Sequence, residues 1–491
     1  MKSIKYITII FFLIFLLKNL SFSQSTKITV SDGFWSNPLV WDNGIPQSGD
    51  NVIINHTLEI DVKDTVTDIT INDITILYDT IFVKGVLNIE SDISGGVLFF
   101  INNSVDKGRL GATSAGELLS EVVWQKWIER CDGWGMYGGP FEVSISDYGF
   151  FHTGVPGSSF PSFWTNTYIY DETTPDVDRN IGWTIPGNIN DILPRGYSIY
   201  LFDSSTTSLT ESFNIQLNGF VDLTENFDYR PNYSGVNNSD ENGWNLVSNP
   251  FLGTIDWDSP GWKKISVQNA IWVLDNCTNL YSSYVNGVGV NDGSSLISSG
   301  QGFWIKGTKS NVQLKSDRRV IVDDLVEIKS NNLNKIIRLS LEGDEIALVL
   351  NSDATLFFDT LYDAVKFKTP NSTLYSKLDK EYSINSFDSI NSVPIWVKGD
   401  GYLNVDLNDY DNSVNIFLED IVSGNIISLN NNCSYYFTNT STSFTHRFNV
   451  IFDIITSNNE IEYTKNIRLK NIDILGRETN KNHPAISVKL K

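Results

Sequence analysis

The sequence predicts an all-β chain: a short parallel β-helix followed by two repeated β modules and a β-sandwich. Three observations carry this. Alternating apolar pairs (Val52/Ile54, Ile69/Ile71, Leu87/Ile89) recur at offsets of 17 and 18 residues near the N-terminus. A Gly-Trp…Pro-Phe segment occurs twice in the middle, at Gly133–Phe141 and Gly243–Phe251. Beyond residue 330, β-branched runs of strand length alternate with Gly, Asn and Asp turns.

The chain has 491 residues, enough for about three domains at roughly 150 residues each. Its 36 Lys and Arg against 58 Asp and Glu give a formal charge of −22. No nucleic-acid partner is expected, because phosphate neutralisation needs clustered cations. With 41% hydrophobic and 12% aromatic residues, the chain is too apolar for an acidic disordered tail.

Residues 1–23 read as a secretory signal peptide. Lys2 and Lys5 precede an apolar run from Ile7 to Leu17, and small residues follow at Ser21 and Ser23. The run is about half the ~20 residues a transmembrane helix needs. Cys131, Cys277 and Cys433 are odd in number and dispersed, so they predict no disulfide framework. They read as small buried apolar residues.

Residues 26–105 form the expected β-helix, with an antiparallel sandwich as the competing arrangement. A coil that returns each strand above the last explains the offsets, because a rung buries its apolar face only against its neighbours. The register is lost after Ile89, since Phe99 and Ile101 come too soon, so three or four rungs are expected. Trp35 and Trp41 are large enough to cap the open end, and Pro46, Gly49 and Asp50 supply the turn into the first strand. This stretch, Phe34–Ile54, resembles the opening motif of bacterial secreted β-helix proteins and G8-like modules. The resemblance implies a fold and no catalytic residues.

The modules span 120–235 and 236–325. NTYIYDE (Asn166–Glu172) aligns with NAIWVLD (Asn269–Asp275), and LPRGYSIYLFD (Leu193–Asp203) with ISSGQGFWIKG (Ile297–Gly307). The copies differ mainly in loop length, and each reads as short strands joined by polar loops. The second copy resembles a module found in surface-exported proteins of Bacteroidetes-type bacteria. Residues 330–455 give the β-sandwich. The final segment, 460–491, contains Ile472-Asp473-Ile474-Leu475-Gly476-Arg477-Glu478, which resembles C-terminal signals recognised by the type IX secretion machinery. That resemblance implies Asp473, Leu475, Gly476, Arg477 and Glu478 as the sorting signal, the secretion machinery as a partner, and a secreted or cell-surface location. The usual closing acidic strand is missing.

For chemistry the sequence offers little. There is no G-x-S-x-G elbow, H-E-x-x-H helix or Walker loop, and His56, His152, His446 and His483 are scattered. Loop aromatics flanked by Asp and Asn are candidates for stacking on sugars: Trp164, Tyr168, Trp183, Trp257, Trp262, Tyr281 and Tyr284. Core filling is the competing reading of the same residues. Asp171, Glu172, Asp176 and Asp178 form the candidate cluster for a structural Ca²⁺, with solvated turns as the competing reading; no other cofactor is expected. The function expected is an exported cell-surface structural or adhesive protein that contacts glycans, other cells or matrix. The alternative is a polysaccharide-binding module or polysaccharide-active enzyme.

Overall fold

A computed structural model describes residues 25–453, apart from 48–49, 61–63, 67, 72–74, 106, 112–116, 129–133, 153–166, 175–181, 201–211, 222, 224–226, 236–240, 323–334 and 412–413. The expected signal peptide (1–23), Trp164, Asp176, Asp178 and the segment expected to carry the sorting signal, with Asp473, Leu475, Gly476, Arg477 and Glu478, lie outside the described residues. The fold is all-β. Among the described residues no helix is long and apolar enough to cross a membrane.

The N-terminal unit is a two-faced parallel coil. One face stacks Thr26–Ile28, Asn51–Ile54, Ile69–Ile71, Val86–Ile89 and Arg109–Leu110, all parallel. Val52 pairs with Ile69 and Ile69 with Leu87; Ile54 pairs with Ile71 and Ile71 with Ile89. These are the pairs that the sequence spacing singles out, and all six side chains are buried.

The second face stacks Gly33–Phe34, Leu58–Ile60, Thr75–Val83, Ile93–Phe100 and Leu118–Ile128. The coil therefore runs further than the sequence spacing suggests. Phe99 does not break the register; it belongs to the opposite sheet, beside Phe82 and Val123. The first face resumes at Leu110, which pairs with Leu87. An antiparallel strand, Phe213–Gly219, closes the second sheet against Leu118–Ile128.

Trp35 and Trp41 are buried at the open end, ring centroids 4.9 Å apart, and Trp41 Nε1 donates to the Trp35 carbonyl at 2.9 Å. At the far end the second repeat abuts the coil, where Leu110 N–H donates to the Leu252 carbonyl at 3.2 Å. One continuous core runs from the coil through both repeats.

The C-terminal region is a single 11-stranded sheet, from Asn425–Ser428 at one end to Cys433–Phe437 at the other. It curls over its own core of Ile337, Leu348, Phe387, Leu403, Ile416 and Phe448. The two ends meet through side chains. Phe437 lies edge-on to Phe448 at 5.0 Å, and Tyr435 Oη donates to Asp420, which also pairs with buried Arg447 at 2.8 Å. The expected sandwich is thus realised as one continuous sheet folded over.

The outer face of this sheet packs on the second repeat. Trp244, Trp272 and Trp304 meet Ala347, Ala364, Phe367 and Ile384 in a separate core cluster. Trp272 Nε1 donates to the Val365 carbonyl at 2.9 Å.

Beside this interface the buried Asp363 accepts N–H bonds from Ser386 and Asp359, both at 2.7 Å. Burial outweighs them and raises its carboxyl from 3.8 to about 7. The folded state holds this proton more tightly than the unfolded chain. The stabilisation is therefore complete below about pH 4 and lost as pH rises through about 7. Urea unfolding between pH 4 and 8 is expected to show this fall, and Asp363→Asn to flatten it; identical profiles for the two proteins would refute the assignment.

Candidate binding cleft between the repeats

Both repeats build the same sheet. The first strands, Gly135–Tyr137 and Trp244–Ser248, pair antiparallel with the last, Tyr197–Ile199 and Gly302–Lys306. The last strands in turn pair with Thr167–Tyr170 and Ile271–Asp275. The observed register refines the sequence alignment. Gly135 faces Ile199 and Asn245 faces Ile305, which makes Gly196 the counterpart of Gly302 rather than Gly300. Likewise Tyr168 faces Ser198 and Trp272 faces Trp304, so Tyr168 corresponds to Trp272 rather than Ile271. A one-residue slip moves a side chain to the other face, which is why loop-length differences mislead sequence alignment here.

The copies pack reciprocally. A Cβ added to Gly196 would lie 2.6 Å from the Leu246 carbonyl of the other copy, and one added to Gly302 would lie 2.7 Å from the carbonyl carbon of Met136. Met136 and Leu246 occupy the same place in their copies, so the contact is self-complementary in the manner of a twofold dimer. Ser248 Oγ donates to the Arg195 carbonyl across the same boundary.

A cleft of about 660 Å³ opens there, within the range of about 300–1,000 Å³ common for small-ligand sites. Pro140, Phe141 and Glu142 of the first copy line it together with Pro250 and Phe251, the matching Pro-Phe of the second. The connector between the copies supplies Phe227, Asp228, Tyr229, Arg230 and Asn232. This stretch is fixed by pairing of Phe227 with Ser316 and by Tyr229 N–H donating to the Leu314 carbonyl at 3.0 Å. Asn232 is held by Asn245, whose Oδ1 accepts its N–H at 2.7 Å and whose Nδ2 donates to its carbonyl at 2.9 Å.

Arg195 reaches over the Phe227 ring, its guanidinium carbon 4.4 Å from the centroid. Burial lowers its basicity, and the charge of Glu142 opposes that shift. Asp228 is paired with Lys315 at 2.8 Å, and the hydrogen bond from Lys315 holds its carboxyl below the usual range.

Of the sequence-derived candidates Glu172 lines the cleft, whereas the described aromatics lie outside its lining. Of the sugar-stacking aromatics, Trp257 and Tyr284 are buried in the core. Trp257 Nε1 donates to the Asn269 carbonyl at 2.7 Å, and Tyr284 Oη donates to Asp258. Trp262 is half-buried against Trp257 at 4.9 Å, and its Nε1 donates to the Asp256 carbonyl. Tyr281 lies on Phe367 at 4.2 Å, Trp183 edge-on to Trp304 at 5.7 Å, and Tyr168 edge-on to Trp134 at 5.2 Å. None of the six described aromatics is exposed.

The two described Ca²⁺ candidates, Asp171 and Glu172, accept hydrogen bonds from the protein itself. Asp171 Oδ1 accepts the Thr173 N–H at 2.9 Å and its hydroxyl at 2.6 Å, closing a local turn. Glu172 is buried and accepts from Gly243 N–H, Ser234 N–H and Ser234 Oγ at 2.8, 2.8 and 3.1 Å, tying the first repeat to the start of the second. Among the described residues no group of three or more His, Cys, Asp or Glu is placed to hold a metal.

Cys277 corrects another expectation. It is exposed and disulfide-bonded, not buried as an apolar residue. Cys433 is free, so the partner of Cys277 lies outside the described residues.

Sequence reasoning missed Arg195, Phe227, Arg230 and Asn232. It also missed Tyr402 and Tyr436, a cross-strand pair 5.1 Å apart and each 57% exposed. An alternation of outward residues in adjacent strands is the signal that could have found the tyrosines; no local signal marks the cleft. Comparison with known proteins gives no match to this chain, whether by family model, curated relative or solved structure.

Proposed function

We propose that this chain is an exported, surface-displayed adhesive protein that binds glycans non-catalytically, with the inter-repeat cleft as its principal site. The observation that carries this reading is the cleft itself, where ring faces, an amide and guanidinium groups converge from three chain segments. Ring faces suit the C–H faces of sugars, and the polar groups suit their hydroxyls. The acids of the cleft favour binding over hydrolysis, which needs two available carboxyl groups. Glu172 is consumed by backbone and hydroxyl donors and Asp228 by Lys315, which leaves Glu142 at the rim. A disulfide at exposed Cys277 suits an oxidising compartment.

Export by a type IX-like route is part of the proposal and rests on the residues of the C-terminal segment. Deleting Asn471–Lys491 is expected to abolish surface display; unchanged display would sink that part. For the binding reading, purified residues 24–491 on a polysaccharide array are expected to bind without releasing reducing ends. Sugar release that disappears in Glu142→Gln would establish the enzyme alternative instead.

A further inference from the structure

We infer that the cleft selects an acidic saccharide, gripping its carboxylate with Arg195 and Arg230; this rests on the reading of the cleft as a glycan site. The chain carries 58 acids against 36 basic residues, so a structural guanidinium has many potential partners. The half-buried Arg195 nevertheless has no side-chain hydrogen bond or ion pair among the described residues; its contact is the Phe227 ring. Glu142 acts on it only at a distance.

Arg230 stands at the same cleft, exposed and likewise without an ion pair among the described residues. Its backbone is held at φ +48°, with its N–H donating to Asp228 Oδ1 at 3.1 Å. A bulky side chain in that conformation is uncommon, and the turn fixes where the arginine emerges.

A guanidinium stacked on a ring retains its planar fork of donors, which matches a carboxylate through two parallel hydrogen bonds. Two acids of the cleft are engaged in place, Asp228 by Lys315 and Glu172 by three uncharged donors, while Glu142 stands exposed at the rim. Counting Lys315 with its partner, Arg195, Arg230 and Lys315 balance Glu142, Glu172 and Asp228, so the cleft is charge-balanced on an acidic protein. A saccharide is favoured over a bare anion because Phe227 and the exposed Phe220 present apolar rings beside the arginines, and Asn232 adds an amide for hydroxyls.

The test compares polygalacturonate, alginate and hyaluronan with their carboxyl-reduced, neutral forms, using the wild type, Arg195→Met and Arg230→Asn. Methionine keeps an apolar stem on Phe227, and asparagine accepts a positive φ; matched thermal melts check folding. The wild type is expected to bind at least one acidic polymer and not its neutral form, with affinity falling as salt rises. Arg195→Met is expected to weaken that binding at least about tenfold and Arg230→Asn by about threefold, the half-buried group counting for more. Equal binding to acidic and carboxyl-reduced forms would overturn the inference while leaving the glycan reading intact. Acidic binding untouched by both variants would overturn the assignment to these arginines, and binding to no polymer of either kind would overturn the inference and the reading together.

Discussion

Asp344→Ala is expected to destabilise the C-terminal sheet by about 3–5 kcal/mol, the largest single-residue effect anticipated in this protein. Asp344 is fully buried and accepts from Lys366 Nζ at 2.5 Å, Asn291 Nδ2 at 3.1 Å and Thr373 N–H at 2.9 Å. It therefore joins two strands of the sheet to a turn of the second repeat. Burial lowers the basicity of Lys366, and the charge of Asp344 opposes that shift. Alanine removes the opposing charge from beside the buried ammonium, which also donates to the Glu345 carbonyl at 3.4 Å. Lys366→Met is expected to cost less, because Asp344 keeps its backbone and amide donors. Urea unfolding of both variants measures the difference, and a loss below about 1 kcal/mol for Asp344→Ala, typical of an exposed pair, would contradict the burial described.

The second large effect concerns the repeat boundary. Gly302→Ala and Gly196→Ala each place a methyl group under 3 Å from backbone of the other copy. Backbone cannot rotate aside, so the copies must separate or shift. Each substitution is expected to cost about 1–3 kcal/mol, and because the glycines guard one shared contact, the double variant should fall short of additivity. Glycan binding should weaken with them, since the cleft walls belong to both copies. Normal stability with normal binding would contradict the reciprocal packing. Gly343, where an added Cβ meets nothing within 4 Å, supplies the comparison for the backbone effect of losing a glycine; its φ of +84° means that a change there reports strain without crowding.

How much of this was legible in the sequence follows from where each constraint is stored. The coil was legible because each rung repeats one local demand, an apolar pair facing inward at a fixed interval, and Val52, Ile69 and Leu87 meet it in register. Its extension to Leu110 was hidden by the long excursion through Ile93–Phe100, whose residues answer to the opposite sheet. The repeat was visible in Gly-Trp and Pro-Phe, but its register was not, since loops of unequal length shift the later strands.

The aromatics were ambiguous in principle. Trp257 and Trp262 sit among Asp and Asn in sequence, yet their ring nitrogens are satisfied by backbone carbonyls and their rings by each other. The cleft was not legible at all. Arg195, Phe227 and Asn245 come from separate segments, and only the packing of one repeat on the other places them together. The same holds for Glu172, an apparent metal ligand in sequence whose oxygens are occupied by donors more than 60 residues away.

The central claim is that ligand binds at the boundary of the two repeats. Hydrogen-exchange mass spectrometry of residues 24–491, with and without a polysaccharide identified on the array, tests it most directly. Protection is expected in segments containing Phe141–Glu142, Arg195, Phe227–Asn232 and Asn245–Phe251, with the β-helix faces unchanged. Protection confined to the strands bearing Tyr402 and Tyr436, with the cleft segments exchanging as before, would contradict it.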